Sequence, residues 1–260
     1  CAGVRIQEAV DALAGFGEIY ISKVRASGVI PQISAILGSC GGGVAISSLL
    51  SDFTFMDSQN GKLFVNSPNA IEGNNVEKCD TAEAAFQAEA GNVDFVCDGE
   101  ADVLAQIRSL IQILPANFDD FAGKDTDDDM NRVISGFEGM ISDPAAALAQ
   151  IADGNVFMET KKEYAKDMVT GFMTQNGGTV GAVANAGDGV LTTAGCKKAE
   201  KFVYVCDAFG IPVVTLTNVK SYASSMEEEK TIGQAVADLT CAFASADVPK
   251  VNVITGEAFG

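Results

Sequence analysis

Apolar positions along this chain alternate between two periods. Residues 5–26 carry Ile6, Val10, Leu13, Phe16 and Ile19 at helical spacing, with alanines between them. Ile33 to Leu37 is a short, β-branched run bounded by Pro31 and Gly38, which predicts a buried strand. The same alternation continues along the chain. Strands are expected at 53–56, 63–65, 93–96, 157–159, 181–185, 211–217 and 251–254, and a strand or helix at 164–173. Helices are expected at 81–86, 101–114, 143–151 (with Pro144 in its first turn), 195–208 and 231–245. Helix and buried strand thus alternate in two stretches, which argues for an α/β fold in two halves. The halves span 1–115 and 143–260, and the acidic, weakly apolar segment 116–142 is expected to be a solvated linker between them.

The most informative stretch is 28–53. A strand ends at Gly38-Ser39, then Gly41, Gly42 and Gly43 stand in a row before a predicted helix over 44–50. One reading is a flexible turn that ends a strand. The other is a tight turn whose free amides sit at a helix N-terminus and face a developing oxyanion, such as a thioester carbonyl becoming an enolate. Spacing alone leaves both open.

An internal repeat adds to this. Pro31-Gln-Ile-Ser-Ala-Ile-Leu-Gly38 matches Pro249-Lys-Val-Asn-Val-Ile-Thr-Gly256, and each follows an alanine-rich helix, Ile6–Leu13 in one case and Ile232–Leu239 in the other. In this register Gly42 pairs with Gly260. Two such turns suggest chemistry on two carbonyls, more than a single hydratase or isomerase requires.

Composition narrows the chemistry. Of 260 residues, 47% are hydrophobic, enough for a substantial core, and the net charge of −18 argues against nucleic acid and anionic membrane surfaces. A polyanionic ligand would need a local basic patch, for which Arg5, Lys23, Arg25 and Lys62 are candidates. The absence of histidine removes Ser-His-Asp and Cys-His catalysis and histidine metal sites. Seven cysteines without a CxxC fit reduced thiols in the cytoplasm, and no stretch predicts a signal peptide or a membrane span. Asp125, Asp127 and Asp129 have the opening spacing of a calcium loop, but Met130 stands where glycine is needed and Gly136 where the closing glutamate belongs, so no metal site is expected. Cys40, and also Phe53 and Phe55, are expected to be packed rather than reactive or cofactor-stacking. Cys1 at the start and Ala258-Phe259-Gly260 at the end suggest an internal portion of a longer polypeptide.

At this point several segments resemble the carboxyltransferase subunits of biotin-dependent acyl-CoA carboxylases and decarboxylases, of the propionyl-/methylmalonyl-CoA type. They are Ala2–Glu8, Ala26–Ser34, Gly38–Gly43 and Ser51–Met56 in the first half. The second half adds Tyr164–Lys166, Thr179–Asn185, Phe202–Thr215 and Val248–Thr255. The resemblance implies a crotonase-like fold (ClpP/crotonase superfamily) in each half and a trimeric or hexameric assembly. It implies transfer of a carboxyl group between biotin on a carrier protein and the α-carbon of a short acyl-CoA. Carried over, Gly42 and Gly43 supply the amide pair for the acyl-CoA carbonyl. Gly260 opens the second pair, facing biotin, and Gly3, Arg5 and Gly41 are expected near coenzyme A. A biotin carboxyl carrier protein and either a biotin carboxylase or a membrane decarboxylase subunit are the implied partners. The chain departs from the family pattern at Gly41, where alanine is usual, at Cys1-Ala2, at 186–193, and at Asn218–Tyr222. The other functions weighed are a non-catalytic CoA-binding scaffold of the same fold, and a crotonase-type hydratase or hydrolase using Glu8 or Asp52.

Overall fold

The computed structural model describes residues 8–74, 79–121, 123 and 125–259. The chain divides into two compact units, Cys1–Ser109 and Leu110–Gly260.

In the first unit, helix α1 (Ala9–Ala26) leads into β1 (Ile33–Ile36), β2 (Ser39–Gly41) and α2 (Gly43–Leu49). Then come β3 (Phe53–Asp57), β4 (Lys62–Phe64), α3 (Ala84–Glu89) and β5 (Phe95–Cys97), and α4 (Glu100–Ile113) carries the chain on. Among the described residues, β1, β3 and β5 form a parallel sheet in the order β1-β3-β5, while β2 and β4 pair in parallel separately. Parallel strands bury both faces, which explains why every residue of β3 is buried. Phe53 and Phe55 are core residues as expected, and Phe55 stacks on Phe95 with ring centroids 4.4 Å apart. Ile36, Cys40, Ala45, Met56 and Leu63 form one apolar cluster that seats α2 against the strands.

Strand β2 is an element the sequence reading omits. It arises because the residues after Gly38 continue extended and pair with β4, Cys40 opposite Leu63. Helix α1 forms where its spacing predicts, yet none of its residues is buried, and Val10 and Leu13 are 76% and 72% exposed.

The second unit is built on five strands in the order β12-β10-β8-β7-β6, with β6 at Phe157–Thr160, β7 at Met168–Gln175, β8 at Gly178–Asn185, β10 at Val213–Val219 and β12 at Lys250–Ala258. The expected strand-or-helix at 164–173 resolves as β7, antiparallel to β8. Strands β9 (Val190–Leu191) and β11 (Ser221–Tyr222) form a separate parallel pair. Helices α5 (Phe137–Met140), α6 (Pro144–Ile151), α7 (Thr193–Ala208), α8 (Met226–Glu229) and α9 (Ile232–Ser245) complete the unit.

One sheet face buries Val169, Met173, Ala182, Ala184 and Leu216 against Ala147 and Leu148 of α6. On the other, Phe172 meets Phe202 of α7 at 4.9 Å. Gly181 lies so close to α7 that a Cβ there would fall 2.5 Å from the Cys206 sulfur. The two repeated helix–strand segments fold alike: α1 leads to β1 and α9 to β12, each strand pairing in parallel with its neighbour.

Part of the acidic segment is docked rather than solvated. Asp128 pairs with Arg132 and accepts the Gly154 amide at 2.8 Å. Arg132 donates to the carbonyls of Gln150 and Ala152 at 2.9 and 2.8 Å. A guanidinium satisfies the open carbonyls at a helix C-terminus, so this arginine ties the segment to the end of α6.

Buried carboxylates fasten β3 at both ends. Asp94 accepts the Thr54 amide at 2.8 Å. Asp57 accepts the amides of Gln59 at 2.8 Å and Gly99 at 3.1 Å, and the Asn60 side chain at 3.1 Å. The Gln59 amide above all holds the Asp57 carboxyl below its ordinary 3.8. A depressed folded-state pKa means that the stabilisation is complete above 3.8 and is lost as the pH falls through the folded value. Asp57→Asn is therefore expected to be less stable than the parent at neutral pH, with the gap narrowing in acid. Urea melts along a pH series check this, and a gap that widens in acid would contradict it.

Candidate active site

The glycine turn is built by two strands and two helices of the first unit. Strand β2 delivers Gly41, Gly42 makes the turn at φ 60° and ψ −128°, and α2 starts at Gly43. That combination of angles is closed to L side chains but open to glycine. The Gly42 amide donates to the Phe64 carbonyl at 3.0 Å and extends the β2–β4 ladder by one bond. The first intrahelical bond then runs from the Ile46 amide to the Gly42 carbonyl at 3.2 Å. The Gly43, Val44 and Ala45 amides thus head the helix without intrahelical acceptors, and no side chain caps them.

Neighbouring side chains brace the turn. The Tyr20 hydroxyl donates to the Gly43 carbonyl at 2.8 Å. A Cβ at Gly43 would stand 3.0 Å from the Phe16 ring and from the Tyr20 hydroxyl. At Gly41 it would fall 2.5 Å from the Phe64 ring, so that ring fills the space of a methyl group. Phe64 also lines a cavity of about 350 Å³ with Ala45, Leu49, Val65, Ile71 and Phe86, an apolar recess on the flank of α2.

Three of the six expected site residues, Gly41, Gly42 and Gly43, gather at this turn. Gly3, Arg5 and Gly260 lie outside the described residues. Of the expected amide pair, the Gly42 amide is engaged by the Phe64 carbonyl and the Gly43 amide has no partner within the helix. Gly42 shapes the turn, and the open amides begin one residue later. Sequence reasoning passed over Phe64 and Tyr20, whose partners lie 22 and 23 positions away, beyond the reach of any local motif.

Among the described residues, the side chains near the turn supply no acid–base pair. Cys40 is buried, with its sulfur 3.4 Å from the Ser48 hydroxyl. Asp52 accepts the Gln32 amide at 2.7 Å, a bond that ties the start of β3 to the start of β1. Lys62 is paired with Asp80 at 2.8 Å and Glu83 at 3.2 Å, so two carboxylates offset its charge. In the second unit, burial lowers the Lys198 ammonium to about 8, against the pull of Glu159. Its Nζ donates to the Tyr164 carbonyl at 2.8 Å. Among the described residues no cluster could hold a metal ion and no helix is long and apolar enough to cross a membrane.

Comparison with known proteins places the turn in context. The carboxyl transferase domain family matches residues 1–260. The chain is 36% identical to a methylmalonyl-CoA decarboxylase subunit alpha of Veillonella parvula over 99% of its own length and 54% of that protein's. It is 34% identical to a propionyl-CoA carboxylase beta chain of Roseobacter denitrificans, with the same shares. The chain thus spans about half the length of the curated relatives it matches. It is similar in structure to transcarboxylase 12S, solved as a hexamer assembly with hydrolysed methylmalonyl-coenzyme A bound, at a TM-score of 0.89 and 30% identity. That match covers 97% of this chain and 52% of the transcarboxylase chain. The fold is accordingly crotonase-like, as the transcarboxylase fold is.

Replacing Gly42 by alanine forces a side chain into its left-handed turn and is expected to cost about 1–3 kcal/mol. Gly38→Ala, at a position with open space around it, serves as the control. Denaturant melts of the two variants check this, and equal stability would contradict the assigned conformation.

Proposed function

We propose a function from one premise: the chain belongs to the carboxyl transferase domain family. It moves a carboxyl group between biotin, carried by a partner protein, and the α-carbon of a short acyl-CoA. One observation carries this reading: three uncapped amides head α2 directly after a turn that only glycine can make. The Gly43 and Val44 amides receive the thioester carbonyl oxygen. As the α-carbon loses or gains its carboxyl group, negative charge grows on that oxygen. Fixed N–H dipoles then stabilise it without reorganising. One such donor is worth on the order of 10²–10³ in rate. A chain without histidine suits this mechanism, because the backbone does the stabilising.

The apolar recess beside Phe64 offers a wall for the uncharged part of the substrate near the donors. Biotin supplies the carboxyl donor or acceptor when its carrier docks, and Gly260, the counterpart of Gly42 in the sequence repeat, is proposed to open its amide pair. The carrier protein, a biotin carboxylase or a membrane decarboxylase subunit, and a hexameric assembly like that of the transcarboxylase complete the proposed system. The crotonase hydratase reading loses support because Asp52 ties the start of β3 to the start of β1 and, among the described residues, the glycine turn carries no carboxylate.

The test uses the protein at the full length its gene encodes, incubated with free biotin and malonyl-CoA or methylmalonyl-CoA. Biotin-dependent release of the carboxyl group is expected, falling by 10² or more in Gly42→Ala if the turn is lost. Binding of the CoA ester without turnover, with or without biotin, would replace this reading with a non-catalytic scaffold.

A further inference from the structure

Away from the glycine turn, three side chains of the first unit line up. Lys23, in the last turn of α1, places its Nζ 2.5 Å from the Ser51 hydroxyl oxygen. Ser51 Oγ lies 2.7 Å from Ser34 Oγ on β1. Ser51 is buried at 4% exposure, whereas Lys23 and Ser34 at the two ends are half-buried.

The surrounding backbone fixes the row. The Gln32 side chain donates to the Lys23 carbonyl at 2.9 Å, and the Gln32 amide donates to Asp52 at 2.7 Å. In return, the Asp52 and Phe53 amides donate to the Gln32 carbonyl at 3.0 and 3.1 Å. These bonds hold the end of α1, the start of β1 and the start of β3 in one register, so the three side chains need no search to meet.

A hydroxyl between an amine and a second hydroxyl can pass a proton in either direction. With Lys23 protonated, the ammonium donates to Ser51 and Ser51 donates to Ser34. With Lys23 neutral, both bonds reverse: Ser34 donates to Ser51, Ser51 donates to the amine, and the Ser34 oxygen gains nucleophilic character. Burial lowers the Lys23 pKa and Asp52 partly restores it, which makes the neutral form more accessible than on a free lysine. Lysine-activated serines of this kind perform acyl transfer in enzymes that lack a catalytic histidine.

We propose that Ser34 is a nucleophile for activated acyl groups, deprotonated through Ser51 by Lys23. In the reaction the Ser34 oxygen bonds to the acyl carbon. Its proton moves to Ser51, and the Ser51 proton moves to Lys23. The bond to the leaving alcohol or thiol breaks as Ser51 gives its proton to that group, and Lys23 returns a proton to Ser51. Water then cleaves the serine ester, releasing the acid and restoring Ser34. Ser34 is the catalytic residue of this site, and Ser51 and Lys23 position and relay. The site stands apart from the proposed carboxyl transfer, since neither reading uses the other's residues.

The experiment exposes the full-length protein to p-nitrophenyl acetate and maps acetylated residues by mass spectrometry. Acetyl-Ser34 is expected ahead of other serines. Lys23→Arg keeps a cationic donor but cannot accept a proton near neutral pH. It is expected to keep the parent's melting temperature and to slow Ser34 acetylation by 10²-fold or more. Two results would each overturn the proposal: no acetyl-Ser34 above the level of other surface serines, or an unchanged acetylation rate in Lys23→Arg. In either case the row is only a clamp between α1 and β1.

Discussion

The hydrogen bond from the Gly42 amide to the Phe64 carbonyl is the constraint on which the candidate site depends. It fixes where strand β2 stops and α2 begins. With the Gly42 amide engaged there, the Gly43 and Val44 amides are the first of the helix without an intrahelical acceptor. The same residue, Phe64, fills the methyl-sized gap over Gly41 and lines the recess beside α2. One aromatic residue on a three-residue strand thus joins the turn, its backbone bond and its apolar wall.

The rest of the first unit explains why that small construction stays in place. Strand β3 is wholly buried and held by Asp57 and Asp94, so the parallel sheet has a fixed axis. The cluster of Ile36, Ala45, Met56 and Leu63 seats α2 on it. Tyr20 and Phe16 hold Gly43 from the α1 side. Each support is ordinary packing or a single hydrogen bond, yet together they leave a helix end that needs no rearrangement when charge develops in front of it.

Much of this was legible in the sequence. Period and β-branched runs marked the main strands, because buried parallel strands must be continuously apolar. The repeat between 31–38 and 249–256 predicted two like helix–strand segments, and both are present as α1–β1 and α9–β12. What escaped depended on distant partners. The use of the Gly42 amide by Phe64, the brace from Tyr20 and the docking of Arg132 on α6 are all contacts that no local pattern encodes. The apolar stripe of α1 shows a further limit: periodicity reveals a helix with an apolar face, but not what that face meets. Val10 and Leu13 stay exposed despite their spacing. Composition likewise records the charge of the acidic segment without recording the one arginine that ties part of it to α6.

In the proposed function the Gly43 and Val44 amides polarise a thioester carbonyl. Isotope-edited infrared spectroscopy of a carbonyl-labelled acyl-CoA bound to the full-length protein reads that polarisation. The expected carbonyl stretch lies well below its value in water and returns toward that value in Gly42→Ala. A bound thioester whose carbonyl stretch matches that of the free ester would contradict it.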